Sequence, residues 1–466
     1  MPTKQTKIST TYYLLLKIRF MKKFLAHSAA LFVLVSTMLT ACSEDEPIIT
    51  PQIAIEIDKG SPAQGFSLAQ DDTLTLNATV ANSTGYTVIW GIDGTEVSKN
   101  NSYDFVAATL GEHVVSLTII NPDGGMAIAT QKINVYGKYK QGIFILNEGN
   151  MTTENGSLIF ISPKGAIADS VFFKVNGSPL GNVSQDLFIT NNKLYIIAQN
   201  GNRMGGDMLV VANAETLVKE AAYNDELSAT LSWPTHLAVI GTSNVYIRDN
   251  KGVYLFNTDT KALKYIAGTK GAAKNRMAVI GEKVFVPAGK NVYVIQGEKV
   301  DTIKMGGTVS GVVKSYDNNL WISCTTTPAQ INKVNPKTYE IIKTNEITEA
   351  KVGAGVAATP GISAKGDTLY FSNLSTKIYR HIFSTGKTEF MVDVKTKIEN
   401  AGIVYNSLAV HPKTGRVYFN TIKSFGWNFL INDISVWNFE GTEPVLEADY
   451  KNHTHFPAGI FFTDSF

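Results

Sequence analysis

Few side chains in this sequence have the chemistry and spacing of a reaction centre. His453 and His455 stand two residues apart, which on a strand turns both imidazoles to one side, where a third ligand would complete a metal site. Glu148 and Asp186 are the acids that would serve a divalent ion or a bound quinone. His236 opens a strand-like run after Trp233-Pro234, and Arg248 closes the next one, so the two could meet at one end of a sheet. Cys324 ends the apolar run Leu320-Trp321-Ile322-Ser323 with no base or second cysteine near it in sequence, the pattern of a buried, inert thiol. There is no Gly-x-Ser-x-Gly elbow, no His-Glu-x-x-His, no phosphate-binding glycine loop and no Asp-x-Asp-x-Asp-Gly calcium loop. The histidine pair reads as a hydrogen-bonded strand end, no metal or cofactor is predicted, and the chain is read as a binder, not an enzyme.

The binding candidates lie in loops. Long connections run from Asn147 to Gly156, Gln199 to Asp207, Cys324 to Gln330 and Asn420 to Asp433. They are rich in Asn, Gly and aromatic residues, which suits a flat, polar or glycosidic ligand. The predicted ligand-binding set is Glu148, Asn150, Asp186, Asn200, Arg203, Trp233, His236, Arg248, Phe425 and Trp427.

The elements that must position these residues are strands. Aromatic residues reach 10% and charged residues only 18%, with Gly and Asn frequent. A β-branched and aromatic motif recurs as Ile143-Phe144-Ile145, Leu194-Tyr195-Ile196, Val245-Tyr246-Ile247, Val284-Phe285-Val286, Leu320-Trp321-Ile322, Leu369-Tyr370-Phe371 and Val417-Tyr418-Phe419. Successive copies lie 51, 51, 39, 36, 49 and 48 residues apart, the period of a four-stranded propeller blade. Seven copies predict a seven-bladed β-propeller over 140–466. The first copy lacks a strand before it, and Phe456 to Phe462 reads as a strand with no blade after it, so the C-terminal strand would close the ring.

Residues 51–137 read as a separate small β-sandwich. Thr73 to Ala78, Thr87 to Trp90 and Glu112 to Ile119 alternate polar and apolar, and Asp93-Gly94 and Asn121 to Gly125 supply turns. Trp90 is the expected central aromatic. The run Tyr86 to Gly94 followed by Gly111 to Leu117 loosely resembles the PKD branch of Ig-like folds, which implies a spacer module. The predicted fold is therefore all-β, an Ig/PKD-like sandwich followed by the propeller.

Met21-Lys22-Lys23, an apolar run from Phe24 to Leu39 and Thr40-Ala41-Cys42 have the layout of an export signal over 21–41. Leu39-Thr40-Ala41-Cys42 resembles a bacterial lipobox, which implies acylation of Cys42 and attachment to the outer membrane. Residues 1–20 fit no export signal and read as a start-site artefact. Residues 42–50 form an acidic tether, and Ser43-Glu44-Asp45-Glu46 resembles the surface-export signal of Bacteroidetes lipoproteins, implying outward display. The first 41 residues hold six Lys/Arg and no acid, leaving 36 basic against 40 acidic side chains in the mature chain, a balance that excludes a basic nucleic-acid surface.

The motifs Phe144 to Asn150, Gly156-Ser157-Leu158, Leu180 to Asp186 and Lys193 to Ile196 resemble YncE-like, YVTN-repeat propeller lipoproteins of Bacteroidetes, over about 320 residues. Relatives of BtuG type capture cobalamin beside an outer-membrane transporter. The resemblance implies a ligand, corrinoid-like or glycan, held at the propeller mouth for a TonB-dependent transporter. The alternatives are a lactonase-like or quinoprotein-like enzyme and an adhesion or scaffold protein. Asp72-Thr73, Asp169-Ser170, Asp301-Thr302 and Asp367-Thr368, each followed by an apolar residue, resemble Bacteroidetes O-glycosylation sites and make Thr73, Ser170, Thr302 and Thr368 glycan candidates.

Overall fold

A computed structural model describes residues 48–58, 65–355, 359–406 and 408–463. The leader, Cys42 and the acidic run behind it lie outside these residues. The chain is all-β, and no helix among the described residues is long and apolar enough to cross a membrane.

Two sheets come first. Gln52–Ile57, Thr73–Ala81 and Ser102–Val106 form a three-stranded sheet. Ser67–Ala69, Met126–Tyr136, Gly111–Ile120, Thr87–Ile92 and Thr95–Ser98 form a five-stranded one. The alternation seen in the sequence sends Leu74, Leu76, Val88, Trp90, Val115, Leu117 and Ile119 into one shared core. Trp90 is fully buried there, and its indole N–H donates to the Asn100 carbonyl at 2.9 Å.

Seven four-stranded sheets follow, each antiparallel throughout. All seven copies of the aromatic motif fall on second strands: Ile143–Asn147, Lys193–Ala198, Asn244–Arg248, Lys283–Ala288, Leu320–Thr325, Thr368–Phe371 and Val417–Ile422. The first strands are Pro457–Phe462, Ser184–Thr190, His236–Ile240, Ala278–Ile280, Thr308–Lys314, Ser363–Lys365 and Leu408–Val410. They lie side by side in that order, and Leu408–Val410 lies beside Pro457–Phe462. The C-terminal strand thus pairs with Ile143–Asn147 and completes the first sheet.

A separate apolar cluster fills each gap between neighbouring sheets. This explains why the motif is apolar at consecutive positions. Phe144 points into the gap toward the second sheet, while Ile143 and Ile145 point into the gap toward the seventh. A strand buried on both faces has no polar side to show. Cys324 is one of these core residues, and burial pushes its thiol up to about 11.

The sandwich is tied to the first two sheets of the ring. Lys138 pairs with Asp71 at 2.9 Å and Lys164 with Asp72 at 2.8 Å. Gly137 packs so close to Glu215 that a Cβ there would lie 2.3 Å from its Cβ.

Two expectations change. Cys324 and Gln330 belong to strands, as do Asn420 and Asp433, so those two connections shrink to residues 326–328 and 423–431. Thr73 and Thr368 do open strands, but Ser170 precedes the helix Val171–Asn176 and Thr302 lies within Lys299–Lys304. At both places the apolar residues belong to an element other than the expected strand start.

Candidate functional site

The seven first strands surround a cavity of about 650 Å³. At one end it meets the hairpin turns that link first to second strands, with Lys314, Tyr316 and Asn318 in its wall. At the other end, the mouth, it meets the connections that lead into the first strands. There, bulges between Ser184 and Asp186, Val309 and Gly311, and Pro457 and Gly459 re-aim the chain.

Arg276 bridges strands at the mouth. It stands just before Ala278–Ile280 of the fourth sheet, yet its Nε donates to Asp186 Oδ1 of the second sheet at 3.0 Å. Its Nη2 donates to the Ala458 carbonyl of the first sheet at 3.4 Å, and its Cζ lies 4.4 Å from the Phe461 ring centroid. Gly459 makes room, since a Cβ there would lie 2.0 Å from Nη2. Asp186 is fully buried and also accepts from the Leu237 amide at 3.2 Å. Burial raises its carboxyl to about 6 against the pull of Arg276.

A second buried acid sits nearby. Glu148 accepts from the Tyr405 hydroxyl at 3.0 Å and from Asn406 Nδ2 at 3.5 Å. Burial pushes it to about 7, opposed by Lys274 and by hydrogen bonds from Tyr405 and Gln185. The same burial, with Glu148 beside it, raises the Tyr405 phenol above its ordinary range. Lys274 is held below its ordinary value by desolvation, with Glu148 opposing and Arg248 repelling it. Arg248 is buried, donating through Nε to the Ala272 carbonyl and through Nη1 to Thr235 Oγ1, each at 3.1 Å. His236 Nδ1 lies 2.9 Å from the same hydroxyl. Arg248, Lys274 and Arg276 thus face two buried acids, and burial disfavours the charged forms of Glu148, Asp186, Lys274 and Arg248 alike.

Aromatic side chains flank this centre on the side of Tyr405. Phe425 and the turn of 3-10 helix Gly426–Leu430 expose two rings, Phe425 by 53% and Trp427 by 78%. Tyr405 contacts Phe425 and Phe456 at ring distances of 6.2 and 5.2 Å, and Phe456 stacks on Phe429 at 4.2 Å. Trp233 is 53% exposed on the connection into the third sheet.

Of the predicted residues, Glu148, Asp186, His236 and Arg248 come together in the buried centre, Phe425 contacts its Tyr405, and Trp233 and Trp427 are exposed on the connections nearby. Asn150 and Asn200 do something else. Asn182, fully buried, donates to the Asn150 and Glu154 carbonyls and accepts from Asn200 Nδ2 at 2.7 Å, so these residues brace two loops. Arg203 is exposed on the second of those loops. His453 and His455 diverge to different acids, Asp169 at 2.9 Å and Glu154 at 2.7 Å. Among the described residues no three His, Cys, Asp or Glu side chains cluster as metal ligands.

Sequence reading missed Gln185, Lys274, Arg276, Tyr405 and Asn406. A signal existed for Arg276. Gln185-Asp186-Leu187, Thr235-His236-Leu237 and Asn275-Arg276-Met277 occupy one repeat position, a polar pair before an apolar residue.

The family described as Domain of unknown function (DUF5074) matches residues 141–463, the whole ring of sheets. A comparison with curated proteins gives no match. Among solved structures, a quinonprotein alcohol dehydrogenase-like protein from Bacteroides thetaiotaomicron aligns with a TM-score of 0.51 at 14% identity, covering 88% of this chain and 99% of that one. PorZ, a surface component of the type-IX secretion system of Porphyromonas gingivalis, aligns with a TM-score of 0.39 at 13% identity over 74% of this chain and 44% of its own. At such identities only the first likeness carries weight, and it speaks for the fold alone.

Proposed function

The chain belongs to the DUF5074 family, and from that premise we propose that it is a non-catalytic surface lipoprotein that captures a nutrient ligand at the mouth of a seven-bladed propeller. In this reading the C-terminal strand closes the ring, the Ig/PKD-like sandwich is a spacer, and Cys42 carries the lipid that holds both on the outer membrane. The partner is a TonB-dependent transporter that receives the ligand.

One observation carries the reading: three cationic side chains, Arg248, Lys274 and Arg276, stand with two buried acids in a desolvated centre flanked by the Tyr405 and Phe425 rings. Such a site offers charge to an anionic group and flat apolar surface to a ring system. A neutral glycan would stack on Phe425 and Trp427 but bring nothing to the cations. A corrinoid, with a flat macrocycle and a phosphate, uses both, so it is the favoured ligand class. Among the glycan acceptors, Thr73 and Thr302 are the exposed pair and the better candidates for O-glycosylation.

Isothermal titration of the purified protein against cobalamin and a panel of neutral glycans tests the ligand class. Saturable cobalamin binding without glycan binding is the expected result, and no binding to either would end the proposal for these ligands.

A further inference from the structure

Where the connection that carries Phe425 and Trp427 leaves and re-enters the seventh sheet, one buried polar cluster interrupts the apolar packing toward the sixth. Asp433 stands directly opposite Thr421 on the second strand of the seventh sheet and opposite Lys451 on its fourth. Asp449 is two residues from Lys451 and opposite Ser435, so all these side chains share one face. It is the face on which Phe419 and Trp437 pack against Ile378, Val392 and Ile398.

The cluster has too many acceptors. Asp433 is 4% and Thr421 1% exposed. The carboxyls of Asp433 and Asp449 lie within hydrogen-bonding contact, a repulsive arrangement unless something positive joins them. The nearby ammonium of Lys451 lies 3.6 Å from the Oδ2 of Asp449. Asp449 Oδ1 and Thr421 Oγ1, both shielded from solvent, have no hydrogen-bond partner. Buried polar atoms are ordinarily satisfied, and an orphan in a folded protein calls for an ion, a proton or a ligand.

We propose that Asp433, Asp449 and Thr421 form a binding site for a hard divalent cation of the Ca²⁺ class, clamped between the sixth and seventh sheets. The donor set is all oxygen, which selects hard cations over softer metals that prefer nitrogen or sulfur. Two carboxylates balance a divalent ion, and the Thr421 hydroxyl would supply a neutral oxygen. Backbone carbonyls and water would complete the shell. The site joins strands that follow each other just before the ring is completed, so the ion would fasten the last sheet.

The test is calorimetric titration of chelator-treated full-length protein with CaCl₂, with MgCl₂ and NaCl as parallel arms. The expected result is one saturable Ca²⁺ site, lost in D433N and weakened several-fold in T421V. Valine matches the shape of threonine, so T421V keeps the fold even where D433N does not. Wild-type thermal stability should rise with CaCl₂, and that of D433N should not. Calcium binding with unchanged affinity in both variants would place the ion elsewhere and overturn the proposal. So would the absence of binding by any cation together with a D433N variant more stable than wild type at neutral pH, which would assign the pair to a shared proton.

Discussion

The two ends of the channel are built from the same strands by opposite means. At the turn end, the chain reverses through residues that accept a left-handed backbone at little cost: Asn191, Asn192, Gly241, Gly281, Asn318, Gly366 and Gly415 all have positive φ. At the mouth the positive-φ residues just before first strands are Val183, Trp233 and Phe456, for which that conformation is strained. Among the described residues, the turn end has no counterpart to the buried acids Glu148 and Asp186. One end is optimised for folding. The other holds strain and desolvated charge, the usual mark of a binding site.

The largest effect that would sharpen this contrast comes from Arg276. Arg276→Met leaves the Asp186 carboxylate buried without its cation and should cost about 3–5 kcal/mol in denaturant unfolding. Adding Asp186→Asn should recover most of it. Lys314→Met, in the channel wall toward the turn end, should cost less than about 0.5 kcal/mol. Equal costs would break the contrast.

Glu148 is next. Its carboxyl titrates at about 7 when folded against an ordinary 4.5. The folded state therefore binds the proton more tightly, and stability falls as pH rises from the lower value to the upper. Glu148→Gln abolishes that fall and should be more stable than wild type by about 2–3 kcal/mol at pH 8. Parallel pH profiles for the two proteins would contradict the assignment.

Backbone strain predicts opposite signs at the two ends. Trp233→Gly should stabilise the fold by about 1 kcal/mol while weakening ligand binding, whereas Gly281→Ala should destabilise it by a similar amount. The smallest effect lies in His455, whose pairing with Glu154 raises its pKa. That contribution is present below about pH 6.5 and disappears as pH rises through the higher folded value. The site is partly solvated, so His455→Gln should cost only about 0.5 kcal/mol at pH 5.5, less in high salt, and nothing at pH 9.

The contrast also explains what was legible in the sequence. The sheets were, because Phe144, Tyr195 and Tyr246 recur on strands buried on both faces. Half of the site was legible where a charged residue stood at a strand end, as with Glu148, His236 and Arg248. Arg276 escaped because its meaning lies in reach: Asp186 is 90 residues away in sequence, and only the packing of the first strands side by side brings them to 3.0 Å. Tyr405 escaped for the same reason, lying 257 residues from Glu148. Asn150 and Asn200 misled because loop asparagines brace backbone as readily as they bind ligands.

The central claim is that the mouth end, and not the turn end, takes the ligand. Its most direct test is one equilibrium titration of cobalamin, followed by corrin absorbance, against wild type, Lys274→Glu and Lys314→Glu. Wild type and Lys314→Glu should bind alike, and Lys274→Glu should lose about ten-fold or more in affinity. Affinity lost in Lys314→Glu and kept in Lys274→Glu would contradict the account.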